Sequence, residues 1–263
     1  MHQLLSNILY SCVDERQRGH EQFVAEHALG YMIAGESHIH TNSGTRVYAP
    51  GSIGLVRRNQ LLKSVKVPPP DGEFRSINIL LTQDLLRQYS ADTGVAASGA
   101  YTGEPLLLLH DNPFFKGYFN SLLPYFDAPQ YLTPAIAELK TREAIELLLR
   151  YDPALRNWLF DFSKPHKIDL EAFMQQNYRY NIPVSRFARL TGRSLAGFKR
   201  DFEKIFHTSP GQWLQQRRLS EAHYQIREQG RRPSDVYLDV GFENLSHFSF
   251  VFKKAYGVSP SAV

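Results

Sequence analysis

A single cysteine, Cys12, stands in the whole chain, which excludes an internal disulfide framework and a thiolate metal cluster. Long apolar runs are lacking too. Stretches such as Leu106 to Leu109 and Leu147 to Leu149 fall far short of the roughly 20 residues that cross a bilayer. Met1-His2-Gln3 leads into no basic segment backed by an apolar one, so no secretory signal is expected, and the cytoplasm is the expected compartment. Enzyme signatures are also missing: there is no Ser or Cys nucleophile motif, no Gly-rich phosphate loop and no paired-carboxylate signature. Cys12 has no recognisable base near it in sequence. Neither an enzyme activity nor a cofactor is expected.

What the chain does hold is unevenly spread. At 263 residues, 43% of them hydrophobic, it has room for one large globular domain or two ordinary ones. The net charge is +4, from 30 Lys and Arg against 26 Asp and Glu. From Lys164 onward 16 basic residues face 9 acidic ones, leaving 14 and 17 in the first 163 residues. A basic back third behind a mildly acidic front suits a nucleic-acid reader joined to a separate sensing domain.

Two helix-turn-helix patterns lie in that basic third, about fifty positions apart. The first runs from Val184 through Phe187-Ala188, Thr191-Gly192-Arg193-Ser194 and Phe198 to Phe202, and the second from Val236 through Gly241-Phe242 and Phe248 to Phe252. In each, a short amphipathic helix meets a Gly, and a second helix follows with aromatics on one face and polar residues on the other. Such a unit places its second helix in a DNA major groove. The helix between the units, from Gly211 to about Gln229, is about 30 Å long at 1.5 Å per residue. Successive major-groove faces lie about 34 Å apart, so one chain can reach two adjacent grooves.

Residue by residue, Phe198 and Phe202 sit four apart and face the core, which turns Ala196, Lys199 and Arg200 outward. Arg200 is expected to contact a base edge. Lys199 suits a base or a phosphate equally, and Ala196 offers an apolar contact to a thymine methyl. In the second unit Phe248 and Phe252 are the buried pair. Arg193, Ser194 and Lys253 are expected to contact phosphates, with Ser194 also capping its helix. Arg217-Arg218 reads as surface packing of the spacer helix rather than as DNA contact.

The segment from about Lys167 to Val263 resembles the DNA-binding domain of the AraC/XylS family of bacterial transcription regulators. The matching residues are Phe187-Ala188, Thr191-Gly192-Arg193-Ser194, Phe198-Lys199-Arg200-Asp201-Phe202, Ser209-Pro210, Leu214, Arg217-Arg218-Leu219, Ala222, Gly241-Phe242-Glu243, Ser246-His247-Phe248, Phe252-Lys253-Lys254 and Gly257-Val258-Ser259-Pro260. The resemblance implies a protein that binds double-stranded promoter DNA and contacts RNA polymerase, most simply as an activator. Ala196, Lys199 and Arg200 match the family's base-reading positions, as do Leu245, Ser246, His247 and Phe250 in the second unit. The chain departs from the pattern at Phe250, where members often carry Arg, and at Tyr237, where they carry a small Ala. The first unit is therefore expected to carry more of the sequence specificity.

Ahead of a linker at residues 161–166, residues 1–160 are expected to form one domain, and 167–263 a second with helix-turn-helix units at 183–206 and 233–255. Short apolar stretches between about residues 20 and 82 alternate with turn residues, predicting a small β-barrel or sandwich. Helices are expected at Gln83 to Tyr89, Phe114 to Phe126 and Thr133 to Arg150. The class is thus α+β. Glu26-His27, Gly30-Tyr31, Gly35, Pro50-Gly51 and Val56-Arg57-Arg58 resemble the cupin-like barrels found before such DNA-binding domains. In the family that domain binds a small effector or a regulatory protein and dimerises through the following helices. Thr133 to Arg150 is the candidate dimer helix, with Leu139, Ala144-Ile145 and Leu148-Leu149 as its contact residues or, equally, as core. Two other readings stand open: control by a protein partner with no small ligand, and a metal-dependent cupin enzyme. For the second, His38 and His40 are the candidate ligands, preceded by His20 and His27. Metal cupins need a carboxylate shortly after the paired histidines, and Thr41 to Gly51 contains none.

Overall fold

The computed structural model describes residues 2–18, 23–41, 44–101, 103–110, 112–163 and 165–263. Two compact units divide the chain, Met1–Ser163 and Lys164–Val263. Among the described residues the first is built on twelve strands: β1 His2–Leu5, β2 Ile8–Val13, β3 Gln17–Arg18, β4 Phe23–Val24, β5 His27–Ala34, β6 Glu36–Thr41, β7 Gly44–Tyr48, β8 Ile53–Val56, β9 Gln60–Leu61, β10 Lys63–Val67, β11 Phe74–Leu81 and β12 Leu106–Leu109. They pair antiparallel as a six-stranded sheet β1-β2-β11-β5-β8-β12, a four-stranded sheet β3-β10-β6-β7 and a short β4-β9 pair.

Strand structure begins earlier than the turn signals predict. The β1–β2 hairpin turns on Ser6, a non-glycine residue at φ 57°, so no Gly or Pro marks it in the sequence. The apolar run Leu106 to Leu109 is β12, paired with β8.

Period-two alternation explains why β11 serves two faces at once. Ile77, Ile79 and Leu81 point into a core shared with the helices, whereas Phe74, Ser76, Asn78 and Leu80 line a cavity between the sheets. The helices of this unit are α1 Gln83–Thr93, α2 Pro113–Asn120, α3 Pro124–Asp127, α4 Pro134–Tyr151 and α5 Arg156–Leu159. The single helix expected from Phe114 to Phe126 is split before Pro124, which opens α3 and cannot donate into a helix that continues. Phe115, Tyr118 and Phe119 are core, and Phe114 is exposed. Along α4, capped by Thr133, the residues Ala144, Ile145 and Leu148 pack in the core, while Leu139 is 66% exposed. Of the five residues in the expected contact set, one faces outward, three are buried, and Leu149 is partly buried against the same core.

The second unit is all helix: α6 Leu170–Asn177, α7 Val184–Leu190, α8 Leu195–Phe206, α9 Pro210–Arg227, α10 Pro233–Asp239 and α11 Leu245–Tyr256. Side-chain oxygens cap four of them at the N-terminus: Asp169 on α6, Ser194 on α8, Ser209 on α9 and Asn244 on α11. Each satisfies an amide that would otherwise lack a partner.

Candidate nucleic-acid interface and an internal cavity

Each reading helix is held by the same local device. The first unit turns on Gly192 and the second on Gly241, both at positive φ (67° and 105°). A Cβ on Gly192 would come within 2.4 Å of the His166 carbonyl carbon, and one on Gly241 within 2.7 Å of the Arg179 carbonyl oxygen. The backbone conformation and the close approach both require glycine. After each turn an aromatic pair is swallowed, Phe198 and Phe202 on α8 and Phe248 and Phe252 on α11, all of them fully buried. Burying the i, i+4 pair fixes the rotation of each helix and so decides which residues point out.

On α8 the outward residues are Ala196, Lys199 and Arg200. The Arg200 side chain is 70% exposed, and its guanidinium makes only a 3.5 Å approach to Asp201. It is free to extend into a groove. On α11 Leu245, Ser246, His247 and Phe250 are exposed, with Phe250 at 68%, and Lys253 projects from the last turns. Ser194 caps α8, its Oγ accepting from the Gly197 amide at 3.1 Å.

Arg193 departs from the expectation of phosphate contact. Its side chain is only 9% exposed. Nε donates to Asp201 Oδ2 at 3.1 Å, and Nη1 donates to the Ile168 and Thr191 carbonyls at 2.9 and 2.8 Å. This hydrogen bond, with Lys167 adding a second, holds the Asp201 carboxyl below its ordinary value. Arg193 fastens the turn instead of reaching outward, because the fork of a guanidinium can satisfy a carboxylate and two carbonyls together.

Arg218, expected on the surface of α9, is likewise buried. It donates to the carbonyls of Tyr178 at 2.8 Å, Tyr180 at 2.8 Å and Gly241 at 3.1 Å. Neighbouring Arg217 lies 4.7 Å from the Tyr178 ring centroid. The paired arginines in mid-helix were the only sequence signal for this site.

Between the sheets of the N-terminal unit lies a cavity of about 510 Å³. It exists because many of the residues facing it are small: Ser11, Ala28, Gly30, Ser37, Ser52, Gly54, Ser64 and Ser76. Lys66 enters this space, donating to Ser11 Oγ at 3.1 Å with its ammonium 5.5 Å from the Phe74 ring centroid. Burial pulls the Lys66 amine down to about 8. The buried Tyr48 hydroxyl, also on the wall, has no partner among the described residues. Sequence reasoning named neither residue, since a strand-borne lysine ordinarily faces water.

The histidines considered as metal ligands are engaged separately. His38 Nε2 pairs with Glu36 at 2.7 Å and His40 Nδ1 with Thr45 Oγ1 at 2.7 Å. His27 is buried on the helix side of β5, where its Nδ1 accepts from Trp158 Nε1 at 2.7 Å. Desolvation, aided by Arg58 and Arg57, lowers its pKa to about 3. His20 lies outside the described residues. Among the described residues no group of three or more His, Cys, Asp or Glu is placed to hold a metal ion. No helix there is long and apolar enough to cross a membrane.

Two helix-turn-helix units with their reading faces outward, following a cavity-bearing β-domain in the chain, define a DNA-binding transcription regulator. The helix-turn-helix domain family matches residues 187–263, and the ExsA N-terminal regulatory domain family matches residues 27–155. The chain is 24% identical over 256 residues to the HTH-type transcriptional regulator ExsA of Pseudomonas aeruginosa, covering 90% of this chain and 85% of that one. It is 29% identical over 201 residues to the virulence regulon transcriptional activator VirF of Yersinia enterocolitica, covering 73% and 69%. Among solved structures, an apo ToxT point variant from Vibrio cholerae aligns over 98% of this chain and 96% of its own, at a TM-score of 0.48 and 12% identity. Over these two segments the chain carries an AraC-type helix-turn-helix domain and an ExsA-type N-terminal regulatory domain.

Proposed function

We propose that this protein is a sequence-specific activator of transcription that works in the cytoplasm and is controlled by a small molecule held in its N-terminal cavity. The DNA half of the reading rests on the two outward faces. Arg200 reads a base edge in the first box, with Lys199 and Ala196 beside it. Leu245, Ser246, His247 and Phe250 meet the second box, and Ser194 and Lys253 hold phosphates. Bound promoter DNA then presents the protein to RNA polymerase. A homodimer formed through the N-terminal helices, with exposed Leu139 of α4 as a candidate contact, would join two such readers.

The observation that carries the control half is Lys66. No carboxylate among the described residues pairs with its half-buried ammonium, which faces an otherwise largely apolar space of ligand size. A buried unpaired charge costs stability, and an anionic ligand with an apolar body would offset that cost. Control by a protein partner without a small ligand calls for a filled barrel, which this is not.

Two measurements test the halves. Full-length protein selecting from a random duplex pool should enrich a site with two boxes about one helical turn apart; no enrichment, with or without cell extract as a ligand source, removes the DNA reading. For the cavity, Lys66→Met should raise the thermal midpoint of ligand-free protein at pH 7. The wild type carries a penalty for holding a proton on Lys66 that disappears as pH climbs from about 8 to 10.5, so the variant's advantage should shrink over that window. A Met variant less stable than the wild type at pH 7 would mean that Lys66 is a structural residue and not a waiting ligand group.

A further inference from the structure

Helix α9 carries the two reading units on separate halves. Its first half meets the first unit through Trp213, whose ring packs against Phe202 and Phe206. Leu219, Ala222 and Ile226 on its second half form a core with Val236, Val240, Phe242, Phe248 and Phe252 of the second unit. Apolar contacts of this kind hold a unit down but tolerate small rotations, because dispersion and hydrophobic burial have no direction. Hydrogen bonds do have direction. Arg218 sits where the two halves meet, 9% exposed. Its Nε and Nη2 donate to the carbonyls of Tyr178 and Tyr180, in the segment that leads from α6 into α7. Its Nη1 donates to the carbonyl of Gly241, in the turn of the second unit.

From this geometry we infer that Arg218 is the positioning residue that sets the angle between the two DNA-reading helices, and hence the box spacing the protein accepts. The inference rests on the DNA reading above. Three features support it beyond simple stability. Its three backbone acceptors come from two segments, one leading into the first reading unit and the other forming the turn of the second, so a single rigid fork spans both. The contact is close: a Cβ on Gly241 would come within 2.9 Å of Arg218 Nε. Of the side chains that flank Arg218 on α9, Arg217 stacks on Tyr178, and Glu221 accepts from Tyr178 and Arg179 at 3.1 and 2.6 Å and, within α9, from Gln225 at 2.7 Å. Arg218 reaches across.

Linking two weak readers multiplies affinity only when their separation matches that of the two sites, and stiffness sharpens the match. Loosening the joint should therefore leave each box readable while weakening the pair. The test uses full-length protein and three versions of the duplex the wild type selects: both boxes intact, second box scrambled, and both boxes with one base pair inserted between them. Arg218→Met removes the fork at similar volume. Arg218→Lys keeps the charge and length with a single donor atom, and serves if the Met variant does not fold. Active concentration comes from stoichiometric titration, and folding from circular dichroism at the assay temperature.

The two-box to one-box affinity ratio is expected to fall about tenfold, and the penalty for the inserted base pair to shrink, with one-box affinity near wild type. Unchanged ratio and spacing penalty in a folded variant overturn the inference. Equal loss on all three duplexes also overturns it, since that is what a merely stabilising residue would do. If the wild type selects no duplex at all, the DNA reading fails and takes the inference with it. An effect missing in the variants alone leaves the DNA reading intact.

Discussion

Helices α8 and α11 share length, cap type and an inward aromatic pair, yet they offer DNA different chemistry. The first shows a groove two long cations and a methyl. The second shows it Leu245 and Phe250, with Ser246 and His247 between them. Donors in a fork can tell one base edge from another, whereas apolar groups recognise only methyls and sugars. On the proposed reading, one scaffold used twice yields a reader and, beside it, a face that grips with less discrimination. Scaffold residues are shared between the units; the outward residues are free to differ because they support nothing inside.

The largest effect expected from breaking this asymmetry is at Arg200. Arg200→Ala should cost about 1–3 kcal/mol of specific binding, roughly 5- to 150-fold, with much less lost on unrelated DNA. Equal loss on specific and unrelated duplexes would make Arg200 a phosphate contact, and would leave the two helices more alike than their surfaces suggest. Next come the neighbouring cations. Lys199→Ala should lower the salt dependence of binding by about one phosphate contact if Lys199 touches the backbone, or shift base preference in the first box if it touches an edge. Arg193→Ala should do neither: a lowered melting temperature with an unchanged salt slope is the outcome its inward hydrogen bonds require. A reduced slope in that variant would mean the side chain leaves Asp201 when DNA binds. The smallest effect is expected at Phe250. Phe250→Ala should change specificity by less than about 1 kcal/mol, below the range of a bidentate base contact. A loss as large as that of Arg200→Ala would show the second helix to be a reader in its own right, working through apolar contact.

Much of the helical half was legible because its signals are local. Ser194, Asp169 and Ser209 announce helix starts, and Gly192 and Gly241 announce turns. The Phe pairs at i, i+4 settle which face is buried, so the exposure of Lys199, Arg200, Leu245 and Phe250 followed from spacing alone. Where cations share a face with turns the same reasoning failed. Arg193 and Arg218 look in sequence like every other surface arginine, and only the position of Asp201 and of three distant carbonyls turns them inward.

The N-terminal half was less legible for a related reason. Its strands pair across long separations, β2 with β11 and β8 with β12, and a residue's surroundings come from strands far along the chain. His27 reads as a possible ligand until Trp158 arrives to donate to it from 131 positions away. Lys66 reads as a solvated charge until β2 places Ser11 against it. By itself, then, the amino-acid order determined the class of the protein, the two reading units and the faces they show, since caps, turns and helical periodicity act within a few residues. Tertiary structure alone decided that a cavity with a half-buried ammonium lies in the β-domain and that Arg218 bonds both to the segment leading into the first unit and to the turn of the second, because burial and hydrogen bonding of a charged group depend on which distant backbone comes to meet it.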